Sequence, residues 1–288
     1  MNKDLTIVFS SYQSHRHLEK LIKQFSKNFK IIIIENSLDY KIKFFLEKKS
    51  KNVKVIIPKE NLGLAKSYNL GLKNAKTKYV FLNNPDLQID IKSINNLIKC
   101  AKNLKNFGIL SPVYKKEKVF KNYEIFSNQI KIAKKNNKFQ LLEVDRIDNN
   151  FLVKKNEIKT NSFDENYFLY FETIDFAQSL KKRGKKLYIS KKIKFHHYGS
   201  GSLPKKYQNL VKKTRAFHFN WSKFYFFKKN YNYFFALKKV FPNLIKALKK
   251  LFVGFLTFDF EKIKIGSIEL MGLITAIFFI KSFYRPKN

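Results

Sequence analysis

A single cysteine, Cys100, stands in 288 residues, so the chain forms no internal disulfide and no cysteine-cluster zinc site. A reducing compartment suits that composition. The N-terminal MNKDLTIVFSSY lacks the long apolar core of a secretory leader, and its six-residue stretch from Leu5 reads as a first strand. Arginine is scarce as well. Only Arg16, Arg146, Arg183, Arg215 and Arg285 are arginines among the 59 basic residues; the rest are lysines. The formal charge of +38 invites a nucleic-acid reading. Base readout and bidentate phosphate clamps favour arginine, so that reading is set aside. Lysine, asparagine, isoleucine and phenylalanine crowd the chain together, the pattern an AT-rich coding bias leaves. Glycine signatures are missing too. No G-x-G-x-x-G follows the first strand and no G-x-x-x-x-G-K-[ST] occurs, which excludes dinucleotide and P-loop sites.

What is present is a core and a rhythm. Hydrophobic residues make up 44% of the chain, and 31 Phe and 15 Tyr supply bulk for one large domain. Short apolar runs predict strands over 5–9, 31–34, 53–57, 78–82 and 107–110. Helical spacing predicts helices over 15–29, 42–49, 64–75 and 91–104. The unbroken β-branched run 31–34 suits a parallel strand covered on both faces. The alternation predicts an α/β fold with a doubly wound, mainly parallel sheet and helices on both faces. Residues 111–150, rich in Lys and Asn, lose the pattern and read as an antiparallel insertion. Pattern returns at 151–153 and 163–180, with Gly184 as a helix stop. From about residue 205 aromatics interleave with lysines. The expected division is a domain over 1–204, with halves 1–112 and 113–204, and a helical appendage over 205–288.

Polar residues gather at the expected carboxyl ends of successive strands: Ser11 and Tyr12, then Glu35 and Asn36, then Asn61 and Gly63, then Asn84 and Asp86. Four such loops on one sheet edge describe a binding crevice. The last follows YVFLNNPDLQ, where an apolar strand runs straight into two amides, a proline and a carboxylate. Pro85 ends the strand, because it cannot donate to a ladder. Asn, Pro and Asp form turns readily, so a turn and a ligand site are both open on these residues alone.

Two longer stretches carry a resemblance. ENLGLAKSYNLGLKNAKTKYVFLNNPD resembles the N-x-G…N-x-G…N-P-D stretch of family-2 glycosyltransferases, especially their rhamnosyltransferase-like branch. FDENYFLYFETIDFAQSLKKRGKKLYI, followed by HHYGSGS, resembles that branch's second half. The resemblance covers roughly residues 4–202, with the motifs in order. It implies a GT-A fold, a nucleotide-sugar donor linked to dTDP, UDP or GDP, a divalent metal (Mg²⁺ or Mn²⁺), and inversion at the anomeric carbon.

On that resemblance, Asn84-Pro85-Asp86 occupies the place of a D-x-D metal motif, with Asp86 as the hard carboxylate and Asn84 as a carbonyl or sugar contact. Glu35-Asn36-Ser37 stands where Asp-Asn-(small) is usual and implies contacts to the base and ribose; helix N-capping by Asn36 or Ser37 is the other reading. Asn61 and Gly63 open a helix whose N-terminus can face a phosphate or sugar. Asn69, on the same helix, is read either as a donor contact or as a solvent-facing amide. His196 and His197 are implied metal or diphosphate contacts, with Gly199 and Gly201 as a lid.

Glu172 and Asp175, at i and i+3 of a starting helix, share one face near its positive end, and an inverting transferase needs a carboxylate to take the acceptor proton. The usual E-D-x-D has become Glu172-Thr173-Ile174-Asp175, so the customary base falls on Thr173, and the pair Asp175 and Glu172 inherits the role. Asp164 and Glu165 are expected on the acceptor side.

Residues 234–258, FFALKKVFPNLIKALKKLFVGFLTF, are apolar-aromatic with interspersed lysines, which suits an interfacial segment on anionic lipid better than a span. The apolar MGLITAIFFI, 271–280, has about half the roughly 20 residues of a spanning helix. Helices packed on the first domain, or a dimer contact, are the other reading. The expected protein is therefore a cytoplasmic glycosyltransferase, peripheral on the inner face of the cell membrane, acting on a glycan or lipid-linked acceptor for surface polysaccharide. Nucleic acid is not an expected partner. The alternative is a catalytically degenerate basic protein that binds anionic membrane or nucleic acid, for which Thr173 and Glu35 speak. A sugar nucleotidyltransferase would want a glycine-rich loop after the first strand, and SSYQSHRHL has no glycine.

Overall fold

The computed structural model describes residues 3–115, 121–125, 137–158, 162–197 and 204–286. It divides into two compact units. The first comprises residues 1–62, 66–163 and 173–204; the second comprises 63–65, 164–172 and 205–288.

The first unit opens with β1 (Leu5–Ser11), α1 (His15–Phe25), β2 (Lys30–Glu35), α2 (Tyr40–Glu47) and β3 (Val53–Ile56). α3 (Gly63–Asn74), β4 (Tyr79–Asn83), β5 (Leu87–Gln88), α4 (Ile91–Lys102) and β6 (Phe107–Tyr114) follow. The less regular stretch holds β7 (Tyr123–Glu124), β8 (Leu141–Val144), β9 (Arg146–Ile147) and β10 (Phe151–Lys154). Then come α5 (Glu172–Lys182) and β11 (Lys186–His197). Strand β2, KIIIIE, is buried from Ile31 through Glu35, as a β-branched run covered on both faces must be. Leu5, Ile7 and Phe9 pack in one cluster with Leu18, Ile22 and Phe25 of α1 and Ile94, Leu97 and Ile98 of α4. Each such fully buried side chain contributes about 1.5–3 kcal/mol. On the other face Val8 meets α3 at Gly71, where an added Cβ would lie 2.3 Å from Val8 Cγ1.

Among the described residues the main sheet runs β3-β2-β1-β4-β10-β6-β11-β5, with β8 alongside β11. β1, β2, β3 and β4 are parallel neighbours, with Ser11 opposite Glu35 and Phe9 opposite Asn83. β10 enters antiparallel between β4 and β6, while β11 runs parallel to β6. Parallel strands therefore end on one edge, and antiparallel β10 begins there. The expected insertion exists as the β7–β9 ribbon and as β8, both antiparallel. Gly184 (φ +73°) closes α5 in the left-handed conformation expected of a helix stop.

The second unit contains α6 (Lys205–Asn230), α7 (Tyr233–Leu256) and α8 (Phe260–Ile277). Phe217, Trp221 and Phe224 pack with Ala236, Val240, Ile268 and Leu273 as its core. Gly272 allows α8 to touch α6: a Cβ there would stand 2.4 Å from the Phe217 carbonyl oxygen. On α7, Phe241, Ile245, Leu248, Phe252 and Phe255 recur at alternating spacings of four and three residues and form one stripe. All five are exposed, between 46% and 66%. The same helix carries Lys238, Lys239, Lys246, Lys249 and Lys250 and no acidic residue. Among the described residues no helix is long and apolar enough to cross a membrane.

Candidate active site

The loops after β1 and β2 are built around Glu35. This carboxylate is fully buried; Oε2 accepts from Ser11 Oγ at 2.6 Å, and Oε1 accepts from the Gln13 and Ser37 amides at 3.0 and 3.1 Å. Gln13 takes φ +56°, which aims its N–H inward. The extra methylene of glutamate lets it reach across to the first loop. It thereby shapes the backbone beside the partly exposed Tyr12. Asn36 is the second node. Its Nδ2 donates to the Ser11 carbonyl (3.2 Å) and to Ser67 Oγ (3.0 Å), and its Oδ1 accepts from the Leu62 amide (3.0 Å). The expected N-cap by Asn36 or Ser37 is not made. Asp39 caps α2 instead, accepting from the Lys41 amide at 2.9 Å, while the Asn36 side chain is turned into the loop network.

Asn69 is neither solvent-facing nor at the sheet edge. It is 4% exposed and clasps the Phe163 peptide from both sides, donating to its carbonyl (2.9 Å) and accepting from its amide (3.0 Å). Asn61 is partly exposed just before α3. The helix start itself is already engaged, since the Leu64 amide donates to the Phe168 carbonyl at 2.7 Å. Gly63 has φ +69°, and a Cβ would fall 2.3 Å from that same Phe168 oxygen. Gly63→Ala is expected to lower stability by about 2–4 kcal/mol, from the left-handed backbone and the clash together. A urea midpoint left within error of the parent would contradict this.

Asn84-Pro85-Asp86 forms a turn closed by the Leu87 amide donating to the Asn84 carbonyl at 3.2 Å. Tyr68, from α3, donates its hydroxyl to Asn84 Oδ1 (2.9 Å), and the Asn84 amide donates to Asn150 Oδ1 (3.1 Å). The amide oxygen expected to serve a metal or sugar thus already has a protein donor. Asp86 is partly exposed at the tip. Strand β5 pairs with β11, setting His196 opposite Gln88 and His197 opposite Leu87, so both histidines are brought alongside the turn. His196 is exposed. Gly199 and Gly201 lie outside the described residues.

Three neighbours were not foreseen from sequence. His17, in the first turn of α1, has its imidazole pKa lowered by burial and Lys20, with the Asp86 carboxylate opposing. Tyr114 closes β6; burial pushes its phenol up, and the Asp148 and Asp86 carboxylates add to the rise. Asp148 precedes β10 and accepts from Thr173 Oγ1. At the same edge, the buried amide nitrogens of Asn83 and Asn150 have no partner within the described protein. Such orphaned donors are uncommon in folded proteins and mark a place for a polar ligand or water.

At the head of α5, Glu172 and Asp175 are 2% and 4% exposed. Tyr170 and Phe171, just before, both take positive φ (69° and 65°), a strained pair for bulky residues. Asp164 belongs to the second unit. Burial raises its pKa, but Lys229 (2.7 Å), Asn166 and Tyr225 outweigh this and hold it below the usual carboxylate range. Glu165 is exposed.

Among the described residues no three His, Cys, Asp or Glu side chains cluster as a metal cage. Mg²⁺ and Mn²⁺ in nucleotide sites need less: one or two carboxylates, with phosphate and water completing the shell. A partly exposed Asp86 on a backbone-held turn, beside His196, has the donor chemistry for that arrangement.

No curated protein sequence matches the chain. Among solved structures, a mannosyltransferase, PcManGT from Pyrobaculum calidifontis in complex with GDP-Man and Mn²⁺, superposes with a TM-score of 0.56 at 11% identity, over 96% of this chain and 87% of that one. GalNAc-T7 with UDP, GalNAc and Mn²⁺ gives a TM-score of 0.53 at 13% identity over 78% of this chain; the match spans 50% of that protein's length. These likenesses show the GT-A fold. The model of the family described as glycosyl transferase family 2 matches residues 15–160, more than half of the chain. The chain belongs to glycosyl transferase family 2.

Proposed function

We propose that this protein is an inverting glycosyltransferase that moves a sugar from a UDP-, GDP- or dTDP-linked donor to a glycan or lipid-linked acceptor in surface-polysaccharide synthesis. Its motifs align it with the rhamnosyltransferase-like branch. The observation that carries the reading is the convergence on one sheet edge of the Glu35-built loops, the Asn84–Asp86 turn and the His196 strand. The likeness to folds solved with UDP or GDP-Man and Mn²⁺ supports the donor class.

In this reading the loop around Tyr12 and Gln13, fixed by Glu35 and Asn36, receives the nucleoside, and Asn61 borders the sugar. Asp86, with one of the adjacent pair His196 and His197, would hold Mg²⁺ or Mn²⁺. When bound, the ion offsets negative charge growing on the departing diphosphate. The buried Glu172 and Asp175 stand as the acidic pair of α5. The protein works in the cytoplasm, held on the inner membrane face by α7, whose exposed apolar stripe and lysine-rich, acid-free sequence match an anionic bilayer.

Calorimetric titration of UDP, GDP and dTDP tests the donor site. One nucleotide is expected to bind with Mn²⁺ present and at least tenfold more weakly in EDTA. Equal, unmeasurable binding of all three would remove the reading.

A further inference from the structure

Transfer to a hydroxyl acceptor leaves a proton that some carboxylate must take, and the two acids of α5 are almost wholly enclosed. Asp148 is buried too, but it lies at the sheet edge beside the Asn84 turn. β10 pairs antiparallel with β4, Phe151 opposite Leu82, so the residues just before β10 lie where β4 ends. Asn149 and Asn150 turn the chain there with φ of 53° and 52°, a conformation asparagine tolerates. The Asn150 side chain ties this loop to the Asn84 amide, and the Asp148 amide donates to the Asn122 carbonyl at 2.8 Å. The carboxylate accepts from Thr173 Oγ1, on a residue fully buried in the first turn of α5. Asp148 keeps some exposed surface as a residue, while its carboxyl group is buried. The Tyr114 phenol is raised by burial, with Asp148 and Asp86 both adding to the rise. Burial raises the Asp148 carboxyl, with the Thr173 hydroxyl, the Asn149 amide and Arg146 opposing and Glu124 adding.

We propose that Asp148 is the general base of the reaction, positioned by the Thr173 hydroxyl. The inference rests on the glycosyltransferase reading above and deepens it. The acceptor oxygen attacks the anomeric carbon and forms the new C–O bond. The bond from that carbon to the diphosphate oxygen breaks, and its electron pair leaves with the nucleoside diphosphate. The acceptor proton passes to Asp148 and then to solvent. Thr173, which cannot itself act as a base at neutral pH, becomes the hydrogen-bond donor that orients the base. Asp148 thus stands against the position where the acidic motif of α5 has lost its carboxylate.

The test uses the full chain and water as acceptor, following nucleoside diphosphate release from UDP-, GDP- and dTDP-sugars with Mn²⁺. Asp148→Asn is expected to lower kcat by about 10²-fold, with nucleotide affinity by calorimetry unchanged. Thr173→Val, which keeps the carboxylate but frees it, should lower kcat about tenfold. Adding Thr173→Asp to Asp148→Ala returns a carboxylate to the vacated space and should recover at least tenfold of the lost rate, which a merely structural role would not allow. If Asp148→Asn fails to fold, the Thr173→Val rate and the double variant carry the decision. A parent that turns over while Asp148→Asn, or Thr173→Val in its stead, stays within threefold of it overturns the base assignment and leaves the transferase reading standing. A parent that neither releases nor binds any nucleotide overturns both.

Discussion

Replacing Asp86 with alanine will lower Mn²⁺-stimulated release of nucleoside diphosphate roughly 10³-fold, the scale on which lost electrostatic stabilisation of a leaving group is felt. The fold will not be the cause. The turn is closed by backbone, through the Leu87 amide and the Asn84 carbonyl, and braced by Tyr68 and Asn150. Asp90 supplies the control. It is a nearby acid of the same charge, but its Oδ1 caps α4 by accepting from the Ser93 amide at 2.6 Å. Asp90→Ala should therefore cost about 1 kcal/mol of stability and leave turnover within threefold. The two variants separate a charge needed for chemistry from a charge needed for folding. If both lower the rate equally, the effect comes from general charge and not from a metal-holding turn.

The second large effect is expected on membranes. Changing Phe241, Phe252 and Phe255 together to serine should weaken binding to vesicles of phosphatidylglycerol and phosphatidylcholine by about 10³-fold or more. Each phenylalanine buried in a bilayer interface contributes on the order of 1.5–3 kcal/mol. A second copy of the chain is the competing occupant of the stripe. Pairing two α7 stripes would bring Lys238 and Lys249 of each copy near one another, with no acid on the helix to answer them. Phospholipid headgroups supply that missing charge. Vesicles of phosphatidylcholine alone should bind at least tenfold more weakly, and 0.5 M salt should narrow the gap. Sedimentation of the parent as a dimer that the triple variant splits, with no vesicle binding by either, would assign the stripe to self-association.

Much of the sheet could be read directly. The run Ile31–Ile34 could only be a doubly covered strand, and helical spacing of Leu18, Leu21, Ile22 and Phe25 located α1 with its buried face. The polar strand ends were legible because period and turn chemistry are local. What escaped is long-range. Nothing local says that 151–154 would run antiparallel, yet that direction puts Asp148 at the sheet edge; the Asp-Asn-Asn preceding it was the available turn signal. Asn69 defeated the spacing argument because an amide can be buried if a peptide 94 residues away satisfies it. The N-cap of α2 fell to Asp39 because Glu35 and Asn36 found partners on other strands and loops. Residues 164–172 group with the C-terminal helices through contacts such as Asp164 with Lys229 and Ser222 with the Leu169 carbonyl, which no local pattern announces.

Donor hydrolysis tests most directly the proposed metal-assisted nucleotide-sugar site at the Asp86 edge. The purified chain would be incubated without acceptor against UDP-, GDP- and dTDP-sugars, with Mn²⁺ or Mg²⁺. Slow release of one nucleoside diphosphate, abolished by EDTA and by Asp86→Ala, is the predicted result and would name the donor. Release that persists unchanged in EDTA and in Asp86→Ala, or silence across the panel with no nucleotide bound, would contradict it.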